Sequence, residues 1–223
     1  MKRAIAACWL MFGTALSVPV VSALAQTPAL GWPPGFTGTG NVDTKWSEHV
    51  VNSPVVRTHL ALPAGWVVSR NGSAGDLTAL DLKCGCRVEI AEATPSSFNY
   101  AEPVSAERLK GSITTMQSSV PRGYVVEQAG QVRAGRHLWL WHQSRIPGFG
   151  LSDSPEYQEM LRSVPFGSGR TWSFVTTPHS QLVRLYFAVL YPRDASEAEI
   201  AARTRKAGEI FVGIVERVSF AAK

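Results

Sequence analysis

Between Leu80 and Ile90 apolar and polar residues alternate without a break. Leu80, Leu82, Cys84, Cys86, Val88 and Ile90 fall on one side of an extended chain, and Asp81, Lys83, Gly85, Arg87 and Glu89 on the other. The period predicts a strand from about Leu77 to Ala91 with both cysteines on its core face, closed by Thr94-Pro95-Ser96-Ser97. Charges at Lys83, Arg87 and Glu89 sit poorly under a covering layer, so the strand is expected near the edge of its sheet. Upstream, Val55 to Leu62 alternates in the same way, and Pro63-Ala64-Gly65 turns it into Trp66-Val67-Val68. The segment from Arg70 to Gly75 supplies the next turn.

The period then changes. Ser105 is a good N-cap, and Leu109, Ile113, Met116 and Val120 form one stripe of a helix that Pro121, Arg122 and Gly123 end. Short strands are predicted at Tyr124 to Gln128 and Gln131 to Ala134, with turns at Gly130 and Gly135. From His137 to Ile146, Leu138 and Leu140 share one face while Trp139 and Trp141 share the other, the pattern of a central strand packed on both sides. Thr171 to Thr177 and Leu182 to Tyr191 predict an antiparallel pair joined by Pro178-His179-Ser180-Gln181. A last helix opens with the capping box Ser196 to Glu199 and carries Ile200, Ala207, Ile210, Phe211, Ile214, Val215 and Val218 on one side.

Two stretches escape both periods. Gln26 to about Asp43 is rich in Pro, Gly and Thr and reads as an extended or mobile arm, with Trp32 and Phe36 as possible pins; residues 26–50 are assigned to it. Residues 147–170 form an irregular insertion with one short helix signalled by Ser154 and Pro155, and long irregular connections often carry function. Phe149, Leu151, Tyr157, Phe166 and Arg170 are its candidates for contact with a partner.

The N-terminus changes the picture more than overall composition does. A basic start at Lys2 and Arg3, an apolar run and a small-residue end at Ala23-Leu24-Ala25 predict a secretory signal peptide over residues 1–25. Pro19 interrupts the apolar run, which argues against a spanning anchor. Cleavage would leave 198 of 223 residues as a single domain over 51–223 plus the arm, and the formal charge would fall from +5 to +3 as Lys2 and Arg3 leave. With so mild a balance and no basic run, nucleic acid is not an expected partner, and no later segment is apolar enough to span a membrane. The expected location is the periplasm or the extracellular space, where Cys84 and Cys86, the cysteines left after loss of Cys8, meet an oxidising environment.

Three readings stay open for Cys84-Gly85-Cys86: a structural disulfide or buried thiol pair, a redox-active pair, and a ligand pair for copper or zinc. No cofactor is otherwise expected. His137 and His142 are five apart on a strand and face opposite ways; His49, His59 and His179 are scattered. Gly167-Ser168-Gly169 is not a nucleophile elbow, and Glu89 and Glu92 point to opposite faces, so hydrolytic catalysis has little support. Trp139 and Trp141 are expected in the core rather than on a sugar or peptide.

The segments LALPAGWVV at Leu60 to Val68, RTWSF at Arg170 to Phe174 and the RLYFAVLYP that precedes the last helix resemble the PsbP-like (Mog/PsbP-like) superfamily of small exported proteins, over about Val55 to Ser219. The resemblance implies an α+β fold, an antiparallel sheet flanked by helices on both faces in an α/β/α sandwich. It also implies a non-enzymatic role, binding or stabilising a partner protein or envelope component, and it supplies no catalytic residues. The alternative is a thiol redox or metal-handling protein acting through Cys84 and Cys86.

Overall fold

The computed structural model describes residues 31–38, 42–71, 76–81, 83–91, 93–100, 102–120, 124–146 and 166–223. The predicted signal peptide and the Phe149, Leu151 and Tyr157 of the insertion lie outside them. In chain order the elements are β1 (Trp46–Asn52), β2 (Val56–Pro63), β3 (Val67–Asn71), β4 (Asp76–Asp81), β5 (Cys86–Ile90), β6 (Thr94–Pro95), α1 (Ala106–Ser119), β7 (Val125–Ala134), β8 (His137–Ile146), β9 (Phe166–Thr176), β10 (Gln181–Pro192), α2 (Glu197–Glu216) and β11 (Ser219–Ala222), with a 3-10 turn at Pro178–Ser180.

The strands make two antiparallel sheets. A large sheet runs β3-β4-β5-β10-β9-β8-β7, with β6 also pairing with β10, and a small one runs β1-β2-β11. Alternation sorts the large sheet's side chains cleanly. Trp141, Phe174, Leu185, Ile90 and Leu77 stand opposite one another on successive strands, and Gln143, Trp172, Phe187, Val88 and Ala79 form the next rung on the same face. Against this face lie the small sheet, through Val56, Leu60 and Leu62, and α2, through Ala207, Phe211, Ile214 and Val215, all in one core. Phe211 meets Phe187 at 4.5 Å and Trp172 at 6.2 Å between ring centroids.

The α/β/α expectation is therefore corrected to a mostly antiparallel, β-sandwich-like fold. Two strands that the sequence pattern does not announce make the difference: β1 begins inside the stretch assigned to the arm and runs two residues past it, and β11 is four residues long. They flank β2 and turn it into the centre of a second sheet. On the opposite face of the large sheet α1 does not form a layer, since Leu109 is its one fully buried side chain.

Other boundaries shift for identifiable reasons. The alternation from Leu77 to Ala91 is not one strand but the β4–β5 hairpin, in which Asp81 pairs with Cys86. Its loop is held by the Gly85 amide donating to the Asp81 carbonyl (2.9 Å) and the Lys83 amide donating to the Asp81 carboxylate (3.0 Å), with Gly85 left-handed at φ 70°. Nor does β5 lie at an edge, for it sits between β4 and β10. Its charges are accommodated because Arg87, buried, pairs with Glu89 two residues on along the same face. Gly130 marks no turn: β7 runs through it, and the Trp141 indole lies where a Cβ would stand, 2.5 Å away.

The arm is no free tether over residues 31–38. Phe36 is 4 % exposed and packs against Trp172, Phe174 and Phe211, the Gly31 amide donates to the Gln131 carbonyl (2.7 Å), and the Trp141 indole N–H donates to the Gly31 carbonyl (2.8 Å).

Candidate functional site

The cysteines lie at the hairpin tip. Cys84 is in the loop and half-buried, whereas Cys86 opens β5 and is fully buried among core side chains. Their sulfur atoms are in bonding contact, and the Cα atoms are 5.1 Å apart, inside the roughly 4.4–6.8 Å that a disulfide requires. Gly85 supplies the bend. Among the described residues no group of three His, Cys, Asp or Glu side chains gathers in a way that could hold a metal ion.

A different site, absent from the sequence reading, lies on the face of the large sheet that α1 partly covers. The helix is fixed at its start by Ser105, whose hydroxyl accepts from the Arg108 amide (3.2 Å), and at its end by the Val120 amide donating to Met116 (3.0 Å). Leu109 joins Val104, Leu140 and Val175 in a small apolar cluster. Beyond that cluster the helix stands off the sheet and leaves a half-open cavity of about 390 Å³. The volume is within the roughly 300–1,000 Å³ of small-molecule sites. Leu140, Val175 and Leu182 form its floor, Met116 and Gly111 its helical side, and the Phe98–Tyr100 pair, ring centroids 6.1 Å apart, one margin. Phe98 is 58 % exposed at that margin. Arg108 lies over it at 5.8 Å.

His142 is the buried polar group of this cavity. Burial, and secondarily the nearby Arg184 guanidinium, push its pKa down to about 4, so the imidazole is neutral at neutral pH. The Ser112 hydroxyl lies 2.7 Å from the Leu109 carbonyl and 3.0 Å from His142 Nε2, and the imidazole tautomer decides which of Ser112 and His142 donates to the other. His142 Nδ1 has no hydrogen-bond partner among the described residues; neither does the buried hydroxyl of Ser173, which stands opposite His142 in the β8–β9 register. A serine beside a histidine invites a hydrolase reading, but the third member of a triad has no counterpart among the described residues. Nδ1 carries no hydrogen bond to a carboxylate among the described residues.

The remaining sequence candidates are dispersed. His137 faces the other way, edge-on to Phe220 at 4.7 Å, and Trp139 and Trp141 are buried in the main core as expected. Arg170 lies with Arg145 around Glu127, at 3.7 and 3.3 Å, on the main-core face. Phe166 begins β9 at the end of the insertion. Thus the hairpin cysteines, the Arg170 cluster and the cavity are three separate places. What could have pointed to the third is that the stripe on α1 continues as Ile113, Met116 and Val120, all half-buried rather than buried.

Among the described residues no helix is long and apolar enough to cross a membrane. No protein-family model matches the chain, and a search among curated proteins returns no match. The PsbP-like resemblance therefore rests on the segments quoted for it.

Proposed function

We propose that this chain is an exported, non-enzymatic binding protein that takes an apolar envelope component into the cavity between α1 and the large sheet. The observation that carries the reading is the half-open cavity of roughly 390 Å³ itself, whose exposed lining is mainly apolar, beneath a helix that buries one residue fully. The buried His142 supports binding over catalysis, because its pKa of about 4 lies well below the neutral pH that a general base must match and no carboxylate among the described residues orients its ring. The test uses N-phenyl-1-naphthylamine, an uncharged dye that brightens in apolar surroundings. A saturable 1:1 fluorescence rise is expected, and Met116→Trp, which fills the cavity, should abolish it while leaving the circular-dichroism melt in place. Absence of saturable binding by the native protein would overturn the reading.

Cys84 and Cys86 belong to the architecture on this view. Reduction by an attacking thiolate at the accessible Cys84 sulfur expels the Cys86 thiolate into a fully apolar core, which disfavours the charged leaving group. Titration of the processed protein with a thiol reagent should detect no thiol before reduction, native or denatured, and two after reduction in denaturant. A fast-reacting thiol in the native state would revive the redox alternative.

A further inference from the structure

Granting that the cavity binds an apolar molecule, we infer that its ligand is a single-chain amphiphile with a carboxylate head, held by Arg184 and Arg108 while its apolar tail occupies the space between α1 and the sheet. Both arginines line the cavity and both are exposed. Neither forms an ion pair with an acidic side chain among the described residues, although Glu127 and Glu89 elsewhere in the fold are paired with arginines. Arg184 is opposite Val175 in the β9–β10 register, and Val175 is opposite Leu140, so a cation stands on the same rung as the apolar floor. A guanidinium in that position offers a planar fork to a carboxylate at the point where an apolar chain emerges.

Exposure and burial fix the direction of entry. Arg108 and Arg184 are exposed, whereas His142 is buried and neutral and offers an anion no counter-charge. The charged end therefore stays with the arginines, and the tail runs inward past Leu182 and Val175 toward Leu140 and Met116. The volume suits one chain rather than the two of a phospholipid.

Displacement of the bound naphthylamine dye by three ten-carbon competitors, decanoate, decanol and decyltrimethylammonium, tests the assignment. Decanoate should displace at a concentration at least about tenfold below decanol, with decyltrimethylammonium weakest. The R108Q/R184Q double variant should erase the difference by weakening decanoate alone. Equal displacement by decanoate and decanol, or a decanoate advantage that survives in R108Q/R184Q, overturns the carboxylate assignment while the cavity reading stands. Failure of the dye itself to bind removes the cavity reading and the inference with it.

Discussion

The chemistry of the cavity rests on one side chain whose titration can be followed. A free histidine takes up its proton around 6.5, but burial beside Arg184 holds His142 neutral down to about 4. Between those values the unfolded chain binds a proton that the folded chain refuses, so stability rises with pH across the window and falls on acidification. Above 6.5 the contribution is complete; by pH 4 the loss reaches up to about 3 kcal/mol, at roughly 1.36 kcal/mol per unit of pKa. Urea unfolding from pH 7 to 4 should show that loss in the native protein, and His142→Phe, which keeps a ring of similar shape, should flatten the slope relative to it. Comparison of the two removes the carboxylates, which titrate in both.

Among the elements, α2 and the β4–β5 hairpin show what a sequence discloses and what it hides. The capping box is legible at Ser196 and Glu199, and both of its bonds form: the Glu199 amide donates to the Ser196 hydroxyl at 3.3 Å and the Ser196 amide to the Glu199 carboxylate at 2.8 Å. Ser196→Ala should cost about 1 kcal/mol in chemical denaturation. The hairpin is hidden for a geometric reason. The register sets Leu77 opposite Ile90 and Asp81 opposite Cys86, so odd positions of β4 share a face with even positions of β5, whereas the apolar residues in the sequence keep to even numbers from Leu80 to Ile90 and read as a single strand. Gly85, the residue that makes the turn, falls on a polar position and disturbs nothing in the pattern. β11 is hidden because four residues are too few to establish a period. The cavity is hidden because Ser112 and His142 belong to elements with their own periods, each regular, and the space between them is a tertiary fact.

At the scale of the molecule, the sheets and α2 do not close the core by themselves; residues 31–38 complete it. Phe36 enters where Trp172 and Phe174 of the large sheet meet Phe211 of α2, at centroid distances of 4.9, 6.0 and 5.8 Å. It gets there because α2 has glycine at position 208. A Cβ on Gly208 would stand 2.6 Å from the Gly35 carbonyl and 2.9 Å from the Phe36 Cα, both backbone atoms that cannot swing aside. Gly35 itself is left-handed, at φ 86°, as the chain bends onto the helix. The seat and the plug therefore form one unit. Phe36→Ala removes the plug and should cost about 3–5 kcal/mol, the range for emptying a buried aromatic site. Gly208→Ala blocks the seat and should cost about 1–3 kcal/mol by overpacking. Because both changes act by displacing the same segment, the double variant should lose much less than the sum of the two, a coupling readable in a urea-denaturation cycle. Full additivity would mean that the arm is held by its other contacts, at Gly31 and Trp32, and that Phe36 is a passenger in the core it completes.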